Sequence, residues 1–144
     1  MKKLLTLTLL LVVSIVSSQV LELYSDSVTI IEYLGSTEVK RVESDYQFEV
    51  TLTPRNFEIN SVITKYSGYV EGVEKVGDNF RVLTNSLGSI RRLDQYEPEI
   101  LISKKGEVTF IVKFPGANQK IEYILKRKKP LSSVEKEILL SICK

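Results

Sequence analysis

From Gly106 to Arg127 the chain reads GEVTFIVKFPGANQKIEYILKR, with apolar and polar residues alternating on either side of a break. Val108, Phe110, Val112 and Phe114 form one apolar set; Ile121, Tyr123 and Leu125 form a second. A period of two predicts a strand with one buried face in each case. Between them Pro115-Gly116-Ala117-Asn118 is turn chemistry, because proline presets φ while glycine and asparagine tolerate the left-handed region. The pair therefore reads as a hairpin. Opposed residues share a face, so the two apolar sets must meet. One register sets Phe114 against Ile121, Val112 against Tyr123, Phe110 against Leu125 and Lys113 against Glu122. The other leaves Pro115 to Asn118 as the loop and opposes Lys113 to Lys120. Like charges directly opposed cost a few tenths to roughly 1 kcal/mol, which favours the first register.

The same period recurs along the chain. Gln19 to Tyr24 is a short extended lead, and Ser25-Asp26-Ser27 turns into a strand over Val28 to Leu34. Gly35-Ser36-Thr37 breaks that strand before a short, charged one at Glu38 to Val42. Tyr46, Phe48, Val50 and Leu52 alternate strictly up to Pro54, which removes a ladder donor. In Phe57 to Tyr66 the apolar positions change parity, and a β-bulge near Asn60-Ser61 is expected there. Tyr69 to Val76 and Phe80 to Thr84 flank the tight-turn sequence Gly77-Asp78-Asn79. Further strands are expected at Ser89 to Leu93 and Glu99 to Ser103, with Pro98 interrupting an acidic loop. About ten short strands at spacings of roughly 8 to 12 residues predict a mainly β fold. The expected architecture is an antiparallel meander closing into a barrel, with a β-sandwich as the alternative. After Pro130 the period switches: Ser132 and Glu135 have capping-box spacing, and Val134, Ile138, Leu139 and Ile142 recur at helical intervals. A helix over residues 131–143 should pack on the β body.

Residues 1–18 stand apart from this pattern. Met1-Lys2-Lys3 is basic, Leu4 to Val16 is apolar, and Val16 and Ser18 suit processing after Ser18, the layout of a secretory signal peptide. The expected organisation is thus a signal at 1–18 and a single β-rich domain at 19–144. The MKK start and the lack of any Asn-x-Ser/Thr sequon suit a bacterial protein, periplasmic or extracellular. Lys2 and Lys3 also account for the whole formal net charge of +2. What remains is neutral, so a global attraction to nucleic acid or to an anionic membrane is not expected.

The chemistry available is narrow. With no histidine in the chain, imidazole bases, Ser-His pairs and histidine metal ligands are excluded. The single cysteine, Cys143, cannot form an internal disulfide or a thiolate zinc site. No catalytic residue, cofactor or metal site is expected, and the chain is read as a non-enzyme. Lys126-Arg127-Lys128-Lys129 is the densest basic run and reads as a solvated strand exit; Arg91 and Arg92 would point to opposite faces of a strand. Asp94, Glu97 and Glu99 crowd a loop without matching a calcium-loop pattern. Tyr46, Phe48, Phe110, Phe114 and Tyr123 fall at inward positions, as core. Tyr66, Tyr69 and Tyr96 lie near turns, where tyrosine serves as an adaptable contact, and are the candidate ligand or partner contacts.

A run of short-turn strands followed by a C-terminal helix is similar in outline to lipocalin-like barrels. The resemblance implies a small apolar ligand held in the barrel mouth. Lipocalins begin with a Gly-x-Trp motif, this chain has no tryptophan, and no site residue carries over. Two functions are expected from different classes. One is an exported, non-catalytic protein binding a small apolar ligand inside a barrel; the other is a pocketless interaction or inhibitory module that binds a partner protein through an edge strand or loop surface.

Overall fold

The computed structural model describes residues 20–85 and 97–143. The segment 1–18, the strand expected at Ser89 to Leu93, and Arg91, Arg92, Asp94 and Tyr96 lie outside the described residues. The chain is mainly β: the described residues form one antiparallel sheet of ten strands and one C-terminal α-helix. The strands are β1 (Leu21–Tyr24), β2 (Ser27–Leu34), β3 (Thr37–Ser44), β4 (Glu49–Leu52), β5 (Asn56–Asn60), β6 (Lys65–Val76), β7 (Asn79–Asn85), β8 (Glu97–Ile102), β9 (Val108–Phe114) and β10 (Gln119–Lys126). The helix α1 spans Ser133–Ile142.

From β4 to β10 the sheet is a meander, and its full order is β1-β4-β5-β6-β7-β8-β9-β10-β2-β3. The expected closure into a barrel is not made: β1 and β3 are the two ends of the ladder. Nor do the strands divide between two sheets. Instead the single sheet rolls. Tyr66 on β6 and Tyr123 on β10 stand four places apart in the order, about 19 Å in a flat sheet, yet their ring centroids are 5.8 Å apart. The corner Ser25-Asp26 holds the roll. Ser25 N–H donates to Phe48 O and Asp26 N–H to Lys126 O, so one continuous stretch pairs with β4 through β1 and with β10 through β2.

The inner face carries the core, a single cluster that includes Leu21, Val50, Phe57, Val82, Ile100, Phe110 and Leu125. Its aromatic centre is Phe48, Phe57, Tyr66, Phe110 and Tyr123, with neighbouring centroids 5.0 to 6.2 Å apart. Glycines permit the tight connections: Gly35 and Gly77 open two-residue hairpin loops at φ of 60° and 62°, which glycine adopts without a Cβ penalty.

Several local expectations are corrected. The β9–β10 hairpin takes the other register, with Phe110 opposite Tyr123 and Lys113 opposite Lys120. The loop chemistry outweighs the charge clash: Pro115–Ala117 form one 3-10 turn, and Asn118 sits at φ 52°. The two lysines also diverge, Lys113 to Glu99 at 3.4 Å and Lys120 over the Tyr33 ring at 4.1 Å. The phase change after Ile59 is a turn, not a bulge: Ser61 Oγ accepts from the N–H of Ile63 and of Thr64. Val62 and Ile63 are thereby left exposed at its tip. The strand expected from Tyr46 starts only at Glu49, because Ser25 claims both backbone groups of Phe48. Tyr46, expected in the core, is exposed.

Pro98 lies within β8 rather than in a loop. Pairing of β7 with β8 is confined to Phe80–Val82, so the missing proline N–H breaks no bond there, while Pro98 O accepts from Thr84 Oγ1 at 2.8 Å. Helix α1 begins two residues later than expected and has the full capping box, Ser132 Oγ accepting from Glu135 N–H and Glu135 from Ser132 N–H. Its docking face is Leu139 and Ile142, with Leu131 buried before the cap. Val134 points away, 65% exposed. Its place is taken by Glu135, one turn before Leu139, which accepts from Arg127 Nη2 at 3.2 Å. Arg127 is therefore a largely buried clasp between sheet and helix, not part of a solvated basic run.

Candidate functional site

The inner face is not equally covered along its length, and the gradient follows from strand order. Every strand from β4 to β10 has a neighbour on each side, but β2 is followed only by β3, which ends the ladder. Directly opposed residues share a face, so Phe110, Tyr123, Ile30 and Val42 form one cross-strand row. Along it exposure rises from 0% at Phe110 and 6% at Tyr123 to half-buried Ile30 and 39% at Val42. The adjacent row runs from buried Val112 through half-buried Ile121 to Glu32 and Lys40, an ion pair at 3.6 Å and largely in solvent. An apolar surface thus emerges from the core and ends at an open strand edge.

β3 itself is exposed at seven of its eight residues, with only Ser44 partly covered. A bulge opposite Glu32/Tyr33 leaves Val39 outside the pairing. That slip puts Glu38 and Arg41 on one side of the strand, where Arg41 Nε and Nη2 bind the two Glu38 oxygens at 2.9 and 3.0 Å. Beyond the bulge Lys40 to Ser44 pair regularly with β2. Glu43 is 73% exposed and reaches Lys126 only at 4.0 Å. Bulges and charges are the usual devices that keep an edge strand from indiscriminate pairing. Here they leave a short straight segment with a definite charge pattern, Lys40-Arg41-Val42-Glu43.

Where the core meets this open end, Tyr66 and Tyr123 share a phenol–phenol hydrogen bond of 3.0 Å. Burial, then the bond to Tyr66, pushes the Tyr123 phenol above its ordinary value. At neutral pH it stays protonated and acts as a hydrogen-bonding group. Tyr66 also packs edge-on against Phe110 at 5.0 Å, so this candidate contact is an inward residue bordering the core.

Tyr69, three residues on, points to the other face. It is 50% exposed and lines an outer cleft of about 420 Å³ with Thr51, Asn56, Glu58 and Ser67. Tyr96 lies outside the described residues, so the structure does not bring the three tyrosines together. A second outer cleft, also about 420 Å³, lies over β7–β9 beside Arg81, Leu101 and Thr109. Glu99, the first residue of the strand expected to Ser103, lies within β8 and carries two cation partners, Arg81 at 3.2 Å and Lys113 at 3.4 Å. Cys143 is partly buried at the end of α1 and unpaired, and burial pushes its thiol up. Among the described residues no helix is long and apolar enough to cross a membrane.

Of the residues of the open end, Ile121 was legible only as an inward strand position, and neither it nor Ile30 or Val42 was a candidate contact by sequence. The charged strand of β3 was legible, but its place at the end of the ladder was not. No model of a known protein family matches the chain, and no curated protein matches it in sequence.

Proposed function

We propose that the chain is a non-catalytic binding protein whose working surface is the open end of its sheet, where β3 takes an extended segment of a partner protein. The observation that carries this reading is the exposure of β3 on both faces beside an apolar row that rises continuously out of the core. An added strand would satisfy the free backbone groups of β3 and give Val42 a neighbour that continues the apolar row, the ordinary physics of strand addition. Export is part of the proposal, on the strength of residues 1–18 alone; the exported protein should have the intact mass of a chain beginning at Gln19.

A second reading draws on the same place. If the rolled sheet is regarded as a barrel, half-buried Ile30, Phe114 and Ile121 line a mouth at which a small apolar ligand would rest. The interlocking of Phe48, Phe57, Tyr66, Phe110 and Tyr123 occupies the interior such a ligand would need, and this favours the partner-protein reading. The two separate in one experiment. A photoreactive side chain placed at Val42, with one at exposed Glu74 as control, should give covalent adducts with a protein from position 42 only. No adduct from 42, together with saturable binding of a naphthalene probe displaced by host lipid extract, would replace the partner by a ligand.

A further inference from the structure

We infer that the partner on β3 is a second copy of this chain, joined strand to strand about a two-fold axis that passes through Val42; this rests on the reading of β3 as the binding edge. The argument is one of register. When two identical strands pair antiparallel about an axis normal to the sheet, one residue faces its own copy, and residues equally spaced on either side face one another. Only such a register keeps inner-face side chains against inner-face side chains, because a one-residue offset would put the inner row of one copy against the outer row of the other. The regular stretch of β3 after the bulge, Lys40 to Ser44, offers few choices. An axis through Lys40, Arg41 or Glu43 sets a charge against itself, and one through Ser44 sets Glu43 against Asp45. An axis through Val42 places Val42 on Val42 and Arg41 opposite Glu43 twice over.

That arrangement also meets the chemistry of the open end. The two Val42 side chains extend the row Phe110, Tyr123, Ile30, Val42 into the same row of the other copy, so the 39% exposed valine gains an apolar neighbour. Both charged partners are exposed. Arg41 is half exposed with Glu38 on its Nε and Nη2, so Glu43 of the other copy would share the guanidinium with Glu38, and Glu43 is held only by a 4.0 Å contact to Lys126. The near-palindrome TEVKRVES over Thr37–Ser44 is unfavourable when paired end to end, since it then opposes Glu38 to Glu43 and Lys40 to Arg41. The charges therefore select one register as well as permitting it. A single added strand pair is smaller than a standard permanent interface, so the dimer should form and dissociate with concentration. Exposed ion pairs are screened by salt, so it should also weaken as salt rises.

The test uses charge reversal. Sedimentation equilibrium of the purified protein should show a monomer–dimer equilibrium in the micromolar to millimolar range. Arg41→Glu makes both positions of the pair acidic and Glu43→Arg makes both basic, and each variant alone should be monomeric with an unchanged far-ultraviolet spectrum. Mixed in equal amounts, the two variants should form a heterodimer. The glutamate introduced at position 41 of one chain then faces the arginine introduced at position 43 of the other, while the native Glu43 of the first faces the native Arg41 of the second. The double variant R41E/E43R should dimerise like the parent. A parent that stays monomeric throughout, variants that dimerise as well as it does, or a mixture that stays monomeric would each overturn the self-pairing. Should a variant misfold, loss of the parent's dimer on adding salt replaces it as the readout, and a salt-insensitive dimer sinks the register. If the parent is monomeric while Val42 still captures a different protein, the edge remains the binding surface and only the second copy is wrong.

Discussion

Replacing Phe110 by alanine tests how the interior is built. Phe110 is fully buried and touches three other rings, with centroids at 6.2 Å to Phe57, 5.0 Å to Tyr66 and 6.0 Å to Tyr123. Emptying a buried aromatic site typically costs about 3–5 kcal/mol. Because each favourable ring pair is worth about 0.5–1.5 kcal/mol beyond its buried area, this site belongs in the upper half of that range. Tyr123 is held directly opposite on β10, while Phe57 and Tyr66 come from β5 and β6, several strands away in the ladder, so they cannot close the void without unrolling the sheet. We expect Phe110→Ala to lose about 4–5 kcal/mol, much of the ~5–15 kcal/mol stability of an ordinary domain. Thr109→Ala, one residue away with its side chain on the opposite face, should lose less than about 1 kcal/mol. Urea titration followed by tyrosine fluorescence and by far-ultraviolet circular dichroism measures both. Equal losses for the two variants, or a loss below about 2 kcal/mol for Phe110→Ala, would refute the inner-face assignment and with it the rolled sheet.

Three further outcomes are expected. Gly106→Ala should destabilise by about 1–3 kcal/mol, because φ there is +82° and an added Cβ would stand 3.0 Å from Arg127 Nη1 and from Lys129 O. Gly77→Ala, with φ of +62° and open space around it, should show only the smaller backbone strain of about 1–2 kcal/mol; thermal unfolding compares them. Ser132→Ala removes half of the capping box and should cost about 0.5–2 kcal/mol, visible as faster amide exchange in α1 than in the sheet. Folding raises the Tyr123 phenol above its unfolded value near 10, so its contribution to stability is complete below that pH and is lost as pH rises through the folded value. Stability should therefore fall above about pH 10, less steeply in Tyr123→Phe, and an identical fall in that variant would show that another group carries it.

Strand alternation at Val108 to Leu125, the glycine turns at Gly35 and Gly77, and the Ser132–Glu135 capping box were all legible in the chain, because each is decided within a few residues by backbone chemistry. The mainly β class and the terminal helix were legible in the same way, and composition alone excluded imidazole chemistry and an internal disulfide. Register was another matter. The sequence alone weighed Lys113 against Lys120 as a clash, and only their surroundings, Glu99 on one side and the Tyr33 ring on the other, made that pairing acceptable. Tyr46 alternates correctly with Phe48 yet is exposed, since Ser25, more than twenty residues earlier, takes the backbone of Phe48. Glu135 sits on the docking face of α1 because Arg127 arrives from the sheet to neutralise it. The open end follows the same rule: alternation tells which side of a strand is apolar, but not how many strands will lie beside it. Which strand is last depends on the return of β2 and β3 beside β10, a pairing between segments about ninety residues apart in the chain, and no local pattern encodes an encounter at that distance.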